Sequence, residues 1–177
     1  RIRDEIEVRR TRGEVVLHVA DLYRALSDHT LADDETTSVD VVTAQLAAQG
    51  VIACSRVANG EEVLVLQIEE IERYAGSLII AARNNPRGVP ALEVLAIARP
   101  DFTLPGIAEA ERLTRVQERA VLECTIRLLL EHGVCFEHEG LLIFPTLFAP
   151  AATMDDAGVQ LPHAVSLYYD FAGAIDN

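Results

Sequence analysis

Lysine is absent: all 15 basic residues of this 177-residue chain are arginine. That removes from the chain a lysine-bearing phosphate loop, a lysine Schiff base and a lysine general base. Long apolar runs are also missing. The longest candidate, Leu78 to Ala82, falls far short of the roughly 18 residues that signal a membrane helix. No signal-peptide pattern is present. Cysteine is sparse and odd in number (Cys54, Cys124 and Cys135), each within an apolar stretch. This suits reduced, buried thiols of a cytoplasmic protein rather than a disulfide framework. Positive charge is itself scarce. There are 28 acidic residues, the net charge is −13, and no basic residue follows Arg127.

What is present is apolar residue in quantity, 50% of the chain, enough to bury a sizeable core in one ordinary domain or two small ones. The start on Arg1 and the close on Phe171 to Asn177, which reads as the middle of a strand, lead us to expect a piece of a longer chain. Residues 1–12, with five arginines, read as an incoming linker or strand. Val15, Val19, Leu22 and Leu26 recur at helical spacing and predict a short amphipathic helix from Glu14. Ser38 is placed to cap a second helix over Val39 to Gln49, with Gly50 as its stop. Two β-rich runs around Asn59-Gly60 then predict a hairpin, because the favoured tight turn needs positive φ at both central residues.

The stripe Ile68, Ile71, Ala75, Leu78, Ala82 predicts a third helix over about 69–84, stopped by Asn84-Asn-Pro-Arg-Gly88. An irregular stretch with room for another helix (89–98) and a proline-bearing loop (99–106) follow. A fourth major helix is expected over about 109–132, with Thr114-x-x-Gln117 as a capping box. Its all-round apolar surface places it at the centre of the core. A second hairpin turns at Glu139-Gly140, and 164–171 reads as a last strand.

Leu46-Ala-Ala-Gln-Gly-Val51 before the first hairpin matches Leu129-Leu-Glu-His-Gly-Val134 before the second. The repeated order of helix, glycine, valine, strand, turn and strand predicts an α+β fold of tandem winged-helix-like units with short two-stranded antiparallel wings. The expected division is a linker (1–12), a first unit (13–68), a connecting helix and loop (69–106) and a second unit (107–177).

Winged helices raise the question of DNA. A helix read into the major groove carries arginine or lysine toward phosphates and base edges, yet Val39 to Gln49 contains neither. In the second unit Arg112, Arg115, Arg119 and Arg127 are interleaved with Glu111, Glu118 and Glu123, the pattern of a solvated ion-paired face. A transcription regulator remains the alternative, and it requires a basic face on Arg112, Arg115 and Arg119. Cys124, His132, Cys135 and His138 fall close together, but Cys135 and His138 are an odd number of positions apart on one expected strand and leave opposite faces. Their spacing is also not that of structural zinc sites. No G-x-S-x-G or H-E-x-x-H motif occurs. Glu137 and Glu139 beside His138 read as solvent-facing, and Cys54 and Cys135 lack a cationic neighbour to favour the thiolate. No catalytic residue, cofactor or metal is therefore expected. A cysteine- or metal-dependent enzyme, the other alternative, requires bound zinc or a reactive Cys135.

Leu128-Leu-Leu-Glu-His-Gly-Val-Cys-Phe-Glu-His-Glu-Gly-Leu-Leu-Ile-Phe-Pro-Thr-Leu-Phe148, followed by Val165-Ser-Leu-Tyr-Tyr-Asp-Phe-Ala-Gly-Ala-Ile175, resembles the COR region of Roco proteins. It is also similar to the winged-helix part that follows the nucleotide switch in STAND-class bacterial signalling NTPases. Tyr74 to Arg83 and Asn85 to Gly88 add to the likeness, which covers about residues 60–177. The resemblance implies a relay that converts the nucleotide state of a neighbouring P-loop NTPase into homodimerisation or movement of effector domains. No nucleic acid or membrane partner is implied, and no catalytic residue carries over. On the residues themselves, an exposed wing and edge strand make Leu142, Phe144, Leu147, Phe148 and Tyr168 the candidates for contact, with a place in the core as the competing reading of each.

Overall fold

A computed structural model describes residues 1–27, 34–56 and 60–148. These build an α+β fold in which one order of elements occurs twice. The first unit comprises α1 (Ile2–Thr11), β1 (Val16–His18), α2 (Val19–Ser27), α3 (Asp34–Ala48), β2 (Ala53–Arg56) and β3 (Glu62–Val65). The second comprises α4 (Ile68–Arg83), β4 (Ala91–Glu93), α5 (Val94–Ile97), α6 (Arg115–Glu131), β5 (Phe136–His138) and β6 (Leu141–Ile143). Each unit holds a three-stranded antiparallel sheet with its last strand in the middle, in the orders β1-β3-β2 and β4-β6-β5. These are two winged-helix-like units, and among the described residues no helix is long and apolar enough to cross a membrane.

The likeness of the two units extends to single hydrogen bonds. At the end of α3 the Gly50 amide donates to Ala47 O at 2.9 Å and the Val51 amide to Leu46 O at 3.0 Å. At the end of α6 the Gly133 amide donates to Leu130 O at 3.0 Å and the Val134 amide to Leu129 O at 2.9 Å. This is the same Schellman closure twice, each with glycine at positive φ (68° and 66°), a conformation costly for a residue with a Cβ. The third strands also enter in equivalent register: Leu66 N donates to Val15 O and Phe144 N to Pro90 O. At the second hairpin Glu139 and Gly140 both have positive φ (50° and 76°), as the tight turn demands.

Several sequence expectations are corrected. Residues 1–12 are not a bare lead-in: α1 buries Ile6 to 1% exposure against Leu22, Val39 and Leu46. Its arginines hid an amphipathic pattern, and Arg9 is tied one turn back to Glu5 at 2.7 Å. The helix expected from Glu14 starts instead at Val19, because the β-favouring run Val16 to His18 pairs with β3. Within 89–98, Ala91 to Glu93 pair with β6, leaving one helical turn. Each expected two-stranded wing is thereby a three-stranded sheet. Helix α3 begins at Asp34, so Ser38 is inside it and not its cap. Helix α6 begins at Arg115 after a separate 3-10 turn over Glu109–Glu111. Thr114 does stand at the α6 N-cap position, but its hydroxyl bonds the Gln117 side chain at 2.7 Å and no backbone amide. Residues 57–59 of the first turn and the strand expected over 164–171 lie outside the described residues.

The two units share one packed body. Along β3 the side chains alternate: Leu64 and Leu66 join the cluster under α1, α2 and α3, while Val65 points the other way. Val65 pairs laterally with Val16 and Ala53, and this second face is covered by α6, whose Val121 and Cys124 belong to the same buried cluster as Val65. Helix α6 lies between this sheet and α4, and is the centre of the fold.

Candidate functional site

The most built polar feature of the molecule fastens the start of α6 to α4. Glu118, 9% exposed, accepts two hydrogen bonds from the Arg112 guanidinium, at 2.9 Å to Oε1 and 2.6 Å to Oε2. It accepts a third from the Tyr74 hydroxyl at 2.9 Å. That hydroxyl in turn receives the Leu113 amide at 3.4 Å. A fork-on-fork pair of this kind is strong only because every member is satisfied. Burial alone would raise the Glu118 carboxyl. The Arg112 and Tyr74 hydrogen bonds and the Arg112 charge outweigh it and hold the group below the usual carboxylate range. Burial, with the Glu118 hydrogen bond assisting and the Leu113 amide opposing, pushes the Tyr74 hydroxyl up to about 12. Arg112 is raised, chiefly by its bond to Glu118. At neutral pH the network is an ion pair plus a neutral phenol.

This arrangement decides the question of a basic face. Arg112 has a side chain only 12% exposed and is committed to Glu118. Arg119 is paired to Glu123 at 2.9 Å and Arg127 to Glu131 at 3.5 Å. Arg115 alone of the four stands exposed with no partner among the described residues. Arg112, Arg115 and Arg119 therefore do not form one cationic surface.

The thiols are equally committed. Cys124 and Cys135 are buried, and burial pushes both up to about 11. Burial also raises Cys54, whose thiol lies 3.9 Å from Thr43 O. All three are held as neutral thiols, the unreactive form. Cys124 and Cys135 are buried while His132 and His138 are exposed. Among the described residues no group of three or more histidine, cysteine or acidic side chains converges on a possible ion site.

The expected contact residues are dispersed. Leu142 and Phe144, at 0% and 1% exposure, are consumed by the core of the second unit. Both point inward from the sheet, Phe144 held in place by its bond to Pro90 O, so neither offers a surface and that expectation is corrected. Leu147 is half-buried against the same core. Phe148 is exposed at 36%, and Tyr168 lies outside the described residues.

Sequence reasoning missed Tyr74 and Glu118 as partners. A signal existed for the tyrosine. It lies in the stripe Ile71, Tyr74, Leu78, at three- and four-residue spacing, and a phenol on a core-facing stripe needs a hydrogen-bond partner. Nothing local pointed to Glu118, which meets Tyr74 only because α4 packs on α6. Comparison with protein-family models, with curated proteins and with solved structures returned no match.

Proposed function

We propose that this chain is a non-catalytic regulatory and interaction module of a multidomain bacterial signalling NTPase, relaying nucleotide state or mediating dimerisation. The observation that carries the reading is the use made of α6. In a DNA-binding winged helix the corresponding helix is presented to the groove. Here it is sandwiched between α4 and the first unit's sheet, with Val121 and Cys124 in one buried cluster with Val65. Two units joined through a shared core move as one piece. A relay needs such a body, because a packed interface transmits displacement instead of absorbing it. The residue types agree: arginines are mostly paired on the surface, thiols are neutral, and the strongest polar network is structural.

The test is light scattering over a concentration series, with the chain alone and then mixed with the segment that adjoins it in the parent protein. Self-association or a stable complex is expected. A monomer indifferent to both would overturn the reading. A second reading, a transcription regulator, predicts duplex DNA binding that weakens steeply with salt, and the pairing of Arg112 with Glu118 and of Arg119 with Glu123 counts against it.

A further inference from the structure

The cleft between α5 and α6 combines two features. Its floor is apolar, formed by Val94 and Ile97 from α5 and by Leu122 and Ile126 from α6. Its rim carries Arg99, Arg115 and Arg119. Two acids line it as well, but Glu118 is neutralised by Arg112 at 2.6 Å and Glu123 by Arg119 at 2.9 Å. Arg99 and Arg115 are exposed and have no partner among the described residues. The rim is thus cationic on a chain whose net charge is −13.

Two of the most exposed large apolar side chains stand on the same elements: Leu95 of α5 at 83% and Val116 of α6 at 70%. Val116 follows the lining residue Arg115 in the chain but is not itself part of the cleft lining. Leu95 likewise adjoins the lining residue Val94 without lining the cleft itself. The recess holds about 200 Å³, below the ~300–1,000 Å³ of drug-sized ligand sites. That is room for one large side chain of a partner and too little for a drug-sized ligand.

We infer that this cleft docks an acidic amphipathic segment of a partner protein, with one apolar side chain in the recess and its flanking carboxylates on Arg99 and Arg115. An apolar stripe laid between two helices is a familiar mode of peptide recognition, and the charge complementarity selects an acidic stripe edge. A nucleic-acid backbone would satisfy the arginines but leave the apolar floor of Val94, Ile97, Leu122 and Ile126 uncovered. The inference rests on the interaction-module reading and specifies its face.

The test titrates the full chain, isotope-labelled, with a synthetic leucine/glutamate amphipathic helical peptide. Its leucine/lysine counterpart and a DNA duplex serve as comparisons, and amide shifts and fluorescence anisotropy are the readouts. Saturable binding of the glutamate peptide is expected, with shifts concentrated at 94–99 and 115–126. Arg99→Glu combined with Arg115→Glu should weaken it about tenfold or more, since like charges would then face the partner. Ala98→Trp, which fills the recess from an exposed position, should abolish binding. No saturable binding, shifts elsewhere, or equal binding of the lysine peptide overturns the inference. Preferential binding of the duplex through Arg115 replaces it with a nucleic-acid interface. If Ala98→Trp fails to fold, the surface arginine pair decides alone. Association with the adjoining segment that persists in the double-arginine variant sinks this face but leaves the module reading intact. Peptide binding without any association in the scattering series does the reverse.

Discussion

Replacing Glu118 by alanine strips the carboxylate from a pocket where it accepts from Arg112 twice and from Tyr74 once. The guanidinium, 12% exposed, is left with Glu109 at 3.4 Å, which is 87% exposed, and Phe102 O at 3.4 Å. Neither replaces a bidentate pair. Removing one partner of a buried pair costs ~3–5 kcal/mol, and the two residual contacts place the expected loss near the lower end, about 3 kcal/mol. In urea, at a slope of ~2 kcal/mol per molar, that lowers the unfolding midpoint by roughly 1.5 M. The control is Arg119→Ala, whose 65%-exposed side chain pairs with Glu123 and whose loss should stay within ~1 kcal/mol. The double replacement Arg112→Met with Glu118→Leu removes both charges together and should recover part of the loss, the Tyr74 hydroxyl still lacking its acceptor. The pH dependence has a definite sign. Glu118 is lowered in the folded state, so its contribution is fully present above the ordinary carboxylate value of ~4.3. It is lost as pH falls through the lower folded value, and the gap between the parent chain and Glu118→Ala should close only in that acid range. A Glu118→Ala midpoint no lower than that of Arg119→Ala would refute the reasoning.

Phe144→Ala should lower stability by ~3–5 kcal/mol, because Phe144 is 1% exposed. Phe148→Ala, at a 36%-exposed site, should stay within ~0.5 kcal/mol; equal losses in denaturant titrations would contradict the core assignment. Gly50→Ala and Gly133→Ala should each lose ~1–2 kcal/mol, from the left-handed backbone alone, since an added Cβ meets nothing within 4 Å at either position. The two losses should be nearly equal, and a large inequality by thermal unfolding would argue against equivalent helix ends. Cys124 and Cys135, held at about 11 and buried, should resist alkylation at mildly alkaline pH until the chain is unfolded. Rapid native-state labelling located by mass spectrometry would show that they are accessible.

Local chemistry made much of the fold legible in advance. Gly50 and Gly133, each followed by valine, marked two equivalent helix ends because a Schellman closure depends on one residue free to take positive φ. Glu139-Gly140 marked a hairpin for the same backbone reason, and the Ile71 to Ala82 stripe marked α4. Strands of three residues were harder to see. Val16 to His18 and Ala91 to Glu93 carry too few alternations to define a period, and they become strands only because β3 and β6 offer them hydrogen bonds. Helix α1 was obscured because its five neighbouring arginines dominate the composition while a single residue, Ile6, carries its burial.

The site divides along the same line. From the residues alone came the neutral, apolar setting of the thiols, the want of basic residues in α3 and the interleaving of acid with arginine along α6. Those are properties of neighbours in the chain, and short-range spacing conveys them. Only the tertiary structure decided that Arg112 is locked to Glu118 under Tyr74, that Leu142 and Phe144 are core, and that Arg99 and Arg115 meet across one cleft. Each of those depends on how elements distant in the chain close on one core around α6. Contacts between residues far apart in sequence are selected by how whole faces fit, and no local pattern encodes that fit.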